Sequence, residues 1–201
     1  MRQNIADHAA VISLARRPGR LAGFLERWEA QRFPLPLTVH TAVDGEQIAR
    51  PTAWDRTGSG AYGCYLSHLK VLEQYHAPVL VLEDDAVFAP EFVKSLATEI
   101  PGEWDMLYLG GQWGLNGASP RHVGPLPALN VLRTHAYVAH HPQELAVVLR
   151  ERLSEGRDVD GVLLDQRVRK WAFLPFTVGQ DAGHSDVRPL RPSRKTPEFW
   201  H

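Results

Sequence analysis

The run P-V-L-V-L-E-D-D-A-V-F at residues 78–88 is an apolar, β-branched stretch that breaks into three adjacent carboxylates, Glu83, Asp84 and Asp85. Carboxylates crowded at the mouth of a buried strand repel one another and resist desolvation, so they usually persist where a cation lies between them. Side chains alternate along a strand, which puts Glu83 and Asp85 on one side and Asp84 on the other. An E-x-D pair of this kind can hold a hard divalent ion and, through it, a diphosphate. A solvated acidic turn closing a core strand is the alternative reading of the same spacing.

A second group precedes it. Cys64, Ser67 and His68 stand at i, i+3 and i+4, on one face and near the amino end of a helix expected over 62–76. Helix amino ends favour anions, which makes Ser67 and His68 candidates for contact with phosphate or sugar. A core histidine with one satisfied nitrogen is the competing reading of His68. Cys64 reads as a small buried hydrophobe rather than a nucleophile.

The elements that must position these groups alternate along the chain. Residues 9–14 read as a buried strand, 16–20 as a turn, and Leu21, Phe24, Leu25 and Trp28 mark a helix over 20–31. A strand over 37–43 ends at Asp44-Gly45, and a polar loop covers 46–60. After the acidic strand, Pro90 opens a helix to about 98, and 104–109 is a strand capped by Gly110-Gly111. Residues 112–130, rich in glycine and proline, read as one long loop. A strand over 131–140, helices over 142–153 and 158–170, and a strand over 172–178 complete the pattern. Such alternation argues an α/β sandwich with its functional groups at the carboxyl ends of strands. Asp44, the acidic cluster and Gly110-Gly111 all fall at such ends.

Bulk properties narrow the classes. The chain has 201 residues, 44% hydrophobic and 22% charged, and a formal net charge of -1. That length suits one domain, expected over 1–187, followed by a basic tail over 188–201. The near-zero charge gives no field favouring nucleic acid. The single cysteine excludes an intramolecular disulfide, and no apolar run approaches a membrane span or a signal-peptide core. A cytoplasmic location is the resulting expectation.

G-C-Y-L-S-H at 63–68 followed by V-L-E-D-D-A at 81–86 resembles glycosyltransferase family 25, which contains bacterial lipooligosaccharide galactosyltransferases and the procollagen galactosyltransferases. The resemblance runs from the first strand to Asp186. V-I-S-L-A-R-R-P-G-R at 11–20, A-V-D-G at 42–45, His135-Ala-Tyr137, Asp160, Gln180 and Ser185-Asp186 match in order. Two departures stand out: Ser59-Gly-Ala-Tyr62 replaces the family's usual G-E-I before its G-C, and the region between Gly111 and Val131 is compressed. Both leave acceptor and donor choice open.

The resemblance implies a GT-A-like, Rossmann-like mixed sheet flanked by helices, a UDP-sugar donor with galactose the first choice, and inversion at the anomeric carbon. It implies a role in lipopolysaccharide biosynthesis for a bacterial member. A Mn2+ or Mg2+ ion would be held by Asp85, with Glu83 near the ribose or the ion and His184 as a further ligand. Arg16 and Arg20 would flank the nucleotide, against the alternative of solvated arginines. Asp44 would meet the nucleoside or cap its own turn. Gly63, Ser67, His68 and Asp84 complete the implied donor site.

Inversion needs a base on the acceptor hydroxyl. Asp160 is the candidate, with Asp105 and Asp186 as rivals and helix capping as its other reading. Trp113 and His135 are candidates to line the acceptor pocket for a glycan or lipid-linked acceptor. Arg188, Arg191, Arg194 and Lys195 beside Phe199 and Trp200 could bring the tail to the inner face of a membrane, against the simpler reading of a solvated tail. A metal-dependent phosphoesterase or nucleotide hydrolase and a non-catalytic nucleotide-sugar-binding module are the alternative functions.

Overall fold

The computed structural model describes residues 5–114 and 120–181. In chain order the strands are β1 (His8–Ser13), β2 (Leu37–Thr41), β3 (Val79–Glu83), β4 (Ala86–Phe88), β5 (Met106–Trp113), β6 (Gly124–Pro127), β7 (Val131–Ala139), β8 (Lys170–Leu174) and β9 (Val178–Gln180). The helices are α1 (Pro18–Ala30), α2 (Ser59–Gln74), α3 (Phe92–Leu96), α4 (Pro142–Arg152) and α5 (Val159–Leu163). Seven strands pair in the order β2-β1-β3-β7-β5-β8-β6, and β4 pairs with β9 in a separate ribbon.

β1 is parallel to β2 and β3, β7 is antiparallel to β3 and β5, and β8 is parallel to β5. β1, β2, β3, β5 and β8 therefore run the same way and deliver their carboxyl ends to one edge. The amino end of β7 arrives at that edge too. This mixed α/β sheet flanked by helices is the expected architecture.

Strand alternation divides the core in two. Ala10 and Ile12 of β1, Val79 and Val81 of β3, and Tyr137 and Ala139 of β7 pack with residues of α2, α4 and α5. Ala9 and Val11, Leu80 and Leu82, and Ala136 and Val138 pack on the opposite face with Phe24 and Trp28 of α1 and Phe92 and Leu96 of α3. Both faces of β1 and β3 are covered, which is why those runs are apolar throughout. Pro18 at the first turn starts α1, where its missing N–H costs nothing.

Several expected boundaries move. Gly110-Gly111 do not cap β5; the strand runs on to Trp113 with irregular register on either side of Gly110. A Cβ at Gly110 would lie 2.3 Å from His135 Nε2, so the strand can pass that ring only as glycine. The expected loop over 112–130 contains β6, an edge strand on β8 that tolerates its two prolines. The expected helix over 158–170 stops at Leu163. The segment after it turns around Asp165, whose carboxylate accepts from the N–H of Arg167 at 2.9 Å. The expected last strand is split by Pro175 into β8 and β9. The loop over 46–60 holds two short 3-10 turns, Gly45–Gln47 and Thr52–Trp54. No helix among the described residues is long and apolar enough to cross a membrane.

Candidate functional site

β3 ends at Glu83, and its parity decides where the three carboxylates go. Glu83 continues the Val79 and Val81 face and meets α2, where its Oε1 lies 3.5 Å from His68 Nε2. Asp84 continues the Leu80 and Leu82 face towards α1. Ser13 Oγ donates to Asp84 Oδ2 at 2.7 Å, and Arg20 Nη2 lies 2.5 Å from Asp84 Oδ1. Asp85 lies beyond the strand in the turn to β4, so simple alternation fails there. Its Oδ2 is 3.2 Å from the same Arg20 nitrogen and accepts from Gln180 Nε2 at 3.4 Å. Asp84 and Asp85 are therefore joined through Arg20, not separated as the alternation predicts.

The second oxygen of Asp85 is different. Asp85 Oδ1 is buried and has no hydrogen-bond donor. Burial pushes this carboxyl up to about 7, the neighbouring Glu83 carboxylate and Asp84 add to the rise, and Arg20 and Gln180 oppose it. Burial also acts to raise Glu83, but His68, then His135 and Arg20, outweigh it and hold that carboxyl below its ordinary value. An acceptor oxygen aimed away from every donor, in a cluster short of positive charge, is what a hard cation would complete. Asp85 thus fits a divalent ion. His184 and Asp186 lie outside the described residues, as does the basic tail.

Gly63 and Ser67 do a different job from the one expected of them. Ser67 Oγ accepts from the N–H of Val43 at 2.8 Å and donates to the carbonyl of Gly63 at 2.7 Å, and the side chain is buried. A Cβ at Gly63 would lie 2.5 Å from Val43 O and 2.6 Å from Gly45 N. Both residues dock the chain after β2 against α2. His68 is buried, its Nδ1 3.0 Å from the hydroxyl of Tyr137 and its ring stacked on that phenol. The core reading of His68 holds for Nδ1, while Nε2 faces Glu83.

Arg16 Nε lies 2.8 Å from Asp44 Oδ2, while Asp44 Oδ1 accepts from the N–H of Glu46 at 3.2 Å. Asp44 therefore caps its turn as well as holding Arg16. Both stand at the carboxyl edge of the sheet, beside the end of β1.

Asp160 lies at the start of α5, and its Oδ2 accepts from the N–H of Arg133 at 3.2 Å. Burial raises its carboxyl, Asp158 adds to the rise, and the Arg133 N–H moderates it. Asp158 occupies the N-cap position without a side-chain capping bond. Arg133 adopts a φ of 76°, a left-handed backbone for a bulky residue. That kink aims its N–H at Asp160, and its Nη2 donates to Gln112 Oε1 at 3.4 Å. The rival Asp105 is removed by topology. It precedes β5 at the opposite edge of the sheet and is bound by the N–H, Nε and Nη2 of Arg169. His135 is fully buried with Nε2 3.2 Å from the carbonyl of Val178, so it does not line an open pocket. Trp113 is only partly buried at the end of β5.

Sequence reasoning missed Ser13, Arg27 and Tyr137. Arg27 Nε donates to the carbonyl of Ala86 at 3.0 Å, and its Nη1 lies 3.2 Å from Asp181 Oδ2. Arg27 falls seven residues after Arg20, two turns along the same helix face, and that signal was readable. Ser13 and Tyr137 stand inside the matched segments 11–20 and 135–137, but nothing local gave them a role, because their partners Asp84 and His68 lie far away in the chain.

Residues 6–113, more than half of the chain, match the profile of Glycosyltransferase family 25 (LPS biosynthesis protein). The chain is 32% identical over 131 residues to the rat "Probable inactive glycosyltransferase 25 family member 3", covering 52% of this chain and 22% of that protein. It is 30% identical over 129 residues to an Aedes aegypti "Glycosyltransferase 25 family member", covering 52% and 21%. The chain thus spans about a fifth of the length of these relatives. Among solved structures, a glycosyltransferase involved in glycosylation of the major capsid of PBCV-1 aligns at TM-score 0.49 and 9% identity, over 85% of this chain and 82% of that one. A Drosophila β-1,4-galactosyltransferase 7 solved with manganese, UDP-Gal and xylobiose aligns at TM-score 0.38 and 14% identity, over 70% and 52%. The motifs at 63–68 and 81–86 both fall inside the matched segment, and the mixed α/β sheet presents the carboxylates of the second at its carboxyl edge; the chain belongs to glycosyltransferase family 25.

Proposed function

We propose that this chain is a metal-dependent hexosyltransferase that moves a sugar, galactose first, from a UDP-sugar to a hydroxyl of a glycan or lipid-linked acceptor, with inversion. The observation that carries this reading is Asp85 Oδ1, a buried carboxylate oxygen without a donor at the carboxyl edge of the sheet. Mn2+ or Mg2+ held by Asp85, with Glu83 and, as the family resemblance implies, His184 as further ligands, would neutralise charge gathering on the departing diphosphate. Arg20 already holds the two aspartates in place. Arg16 and Asp44 stand where the nucleoside would lie.

Asp160 is the base in this reading. Its carboxyl, raised by burial and by Asp158 against the backbone N–H groups of Arg133 and Asp160, is able to take the proton of an acceptor hydroxyl. Arg133 contacts it from β7 and binds Gln112 at the end of β5, and these side chains, with Trp113 next along β5, are suited to an acceptor sugar. A lipopolysaccharide-type acceptor would place the enzyme in the cytoplasm, peripheral at the inner membrane face, with the basic tail as contact.

Titration of UDP with and without Mn2+ into the wild type and Asp85→Asn tests the reading. Binding that needs Mn2+ and is lost in the variant supports it; metal-independent or absent binding to folded protein overturns it. The names of the mammalian relatives favour one second reading, a binding module without turnover. Mn2+-dependent UDP binding without sugar transfer or release of UDP from any UDP-sugar would select that reading. Hydrolysis of simple phosphate esters would instead select the phosphoesterase.

A further inference from the structure

We propose that Cys64, His68 and Glu83 form a second cation site, for a borderline-soft divalent metal of which zinc is the first choice, adjoining the hard-ion site at Asp85 and sharing Glu83 with it. The site stands on these three residues alone; only its consequence for the donor rests on the transferase reading.

Cys64 and His68 lie one turn apart on α2, and the parity of β3 brings Glu83 to the same face. One ligand atom from each, the thiol sulfur, an imidazole nitrogen and a carboxylate oxygen, lies within 4.8 Å of the others. Zinc at about 2.0–2.3 Å from each ligand needs separations of about 3.3–3.8 Å. His68 Nε2 and Glu83 Oε1, 3.5 Å apart, already stand at such a separation, so the approach that remains to be made is that of the Cys64 sulfur.

The second observation is His68 Nε2. The residue is 1% exposed, and this nitrogen makes no well-directed hydrogen bond. Its nearest charged neighbour is Glu83 Oε1 at 3.5 Å. Tyr137 engages the other nitrogen from behind. That is the arrangement of a metal-bound histidine, in which an outer partner fixes the ring and leaves one nitrogen for the ion.

The donor set discriminates between metals. Sulfur and imidazole suit zinc, whereas Asp85 offers oxygen alone and suits Mn2+ or Mg2+. Burial first, and then the carboxylates of Glu83, Asp160, Asp158 and Asp85, push the Cys64 thiol well up, so a metal that binds there must displace the thiol proton. Three protein ligands leave a fourth position open, as in catalytic rather than structural zinc sites. Zinc bound there would hold the Glu83 carboxylate that the transferase reading assigns to the donor, and would so oppose donor binding.

The test is titration of Co2+ into the full chain after chelator treatment, following the thiolate-to-cobalt charge-transfer band. Cys64 is the only cysteine, so the band has one source. The wild type should develop the band and lose it when Zn2+ is added. Cys64→Ser should abolish it, and His68→Gln should weaken Co2+ binding roughly tenfold or more, the least a ligand should cost when outer partners cost that much. Asp85→Asn should retain it. No band in folded wild type, an undiminished band in His68→Gln, or loss of the band in folded Asp85→Asn each overturns the proposal. A protein that shows the band and binds no UDP would refute the transferase reading and keep this one.

Discussion

Arg20 Nη2 lies 2.5 Å from Asp84 Oδ1 and reaches across the turn to Asp85, so this guanidinium organises the acidic cluster before any nucleotide arrives. Asp84 is almost wholly buried and cannot regain water if the arginine is removed. Arg20→Gln should therefore cost about 2 kcal/mol in urea unfolding, less than a fully buried pair because Arg20 is partly exposed. In the Asp84→Asn background the same change should cost much less. Equal costs in both backgrounds would show that the pair does not couple.

Asp85 sets a pH dependence. Its carboxyl rises from 3.8 to about 7 on folding, so the folded chain binds that proton more readily than the unfolded chain. The contribution of Asp85 to the stability of metal-free protein should then fall as pH rises from about 4 to about 7, with Asp160, also raised, acting in the same direction and His40 and His140, both lowered by burial, acting against it. Asp85→Asn should be more stable than the wild type at pH 8 and should differ little at pH 4. Unfolding with chelator present at both pH values decides it; a variant less stable at pH 8 would contradict the burial argument.

Gly63 and Ser67 should behave as scaffold. Gly63→Ala forces a methyl against Val43 O and Gly45 N and should cost about 1–3 kcal/mol or more. Ser67→Ala leaves the N–H of Val43 without its acceptor and should cost about 1–3 kcal/mol. Thermal unfolding reads both. UDP affinity of the folded Ser67→Ala protein should stay within a few-fold of wild type, and a large specific loss would return Ser67 to the ligand.

Asp160→Asn separates chemistry from binding. Under the proposed mechanism kcat should fall about 10²- to 10⁴-fold, the usual worth of a positioned base, with Mn2+-dependent UDP binding retained. Asp105→Asn should instead lower stability by loosening Arg169, with kcat of the folded fraction unchanged. A kcat loss confined to Asp105→Asn would reverse the assignment.

What the sequence determined by itself is local. The apolar run at 79–82 dictates a buried strand because both of its faces are covered, and the spacing of residues on α1 and α2 follows the helical period. The carboxylates at the strand mouth, the turn cap at Asp44 and the i, i+4 pair of Cys64 and His68 were readable for the same reason. Tertiary structure decided which of these groups serve a site. Ser67 spends its hydroxyl on Val43, 24 positions earlier, and Asp84 spends its oxygens on Ser13 and Arg20. Glu83 and Asp85 part company because the chain turns after Glu83, so alternation no longer governs where Asp85 points. Asp105 and Asp160 look equivalent in sequence, yet strand direction sends one to each edge of the sheet. A polar side chain declares its chemistry in the sequence; its partner is chosen by packing between segments that are distant along the chain.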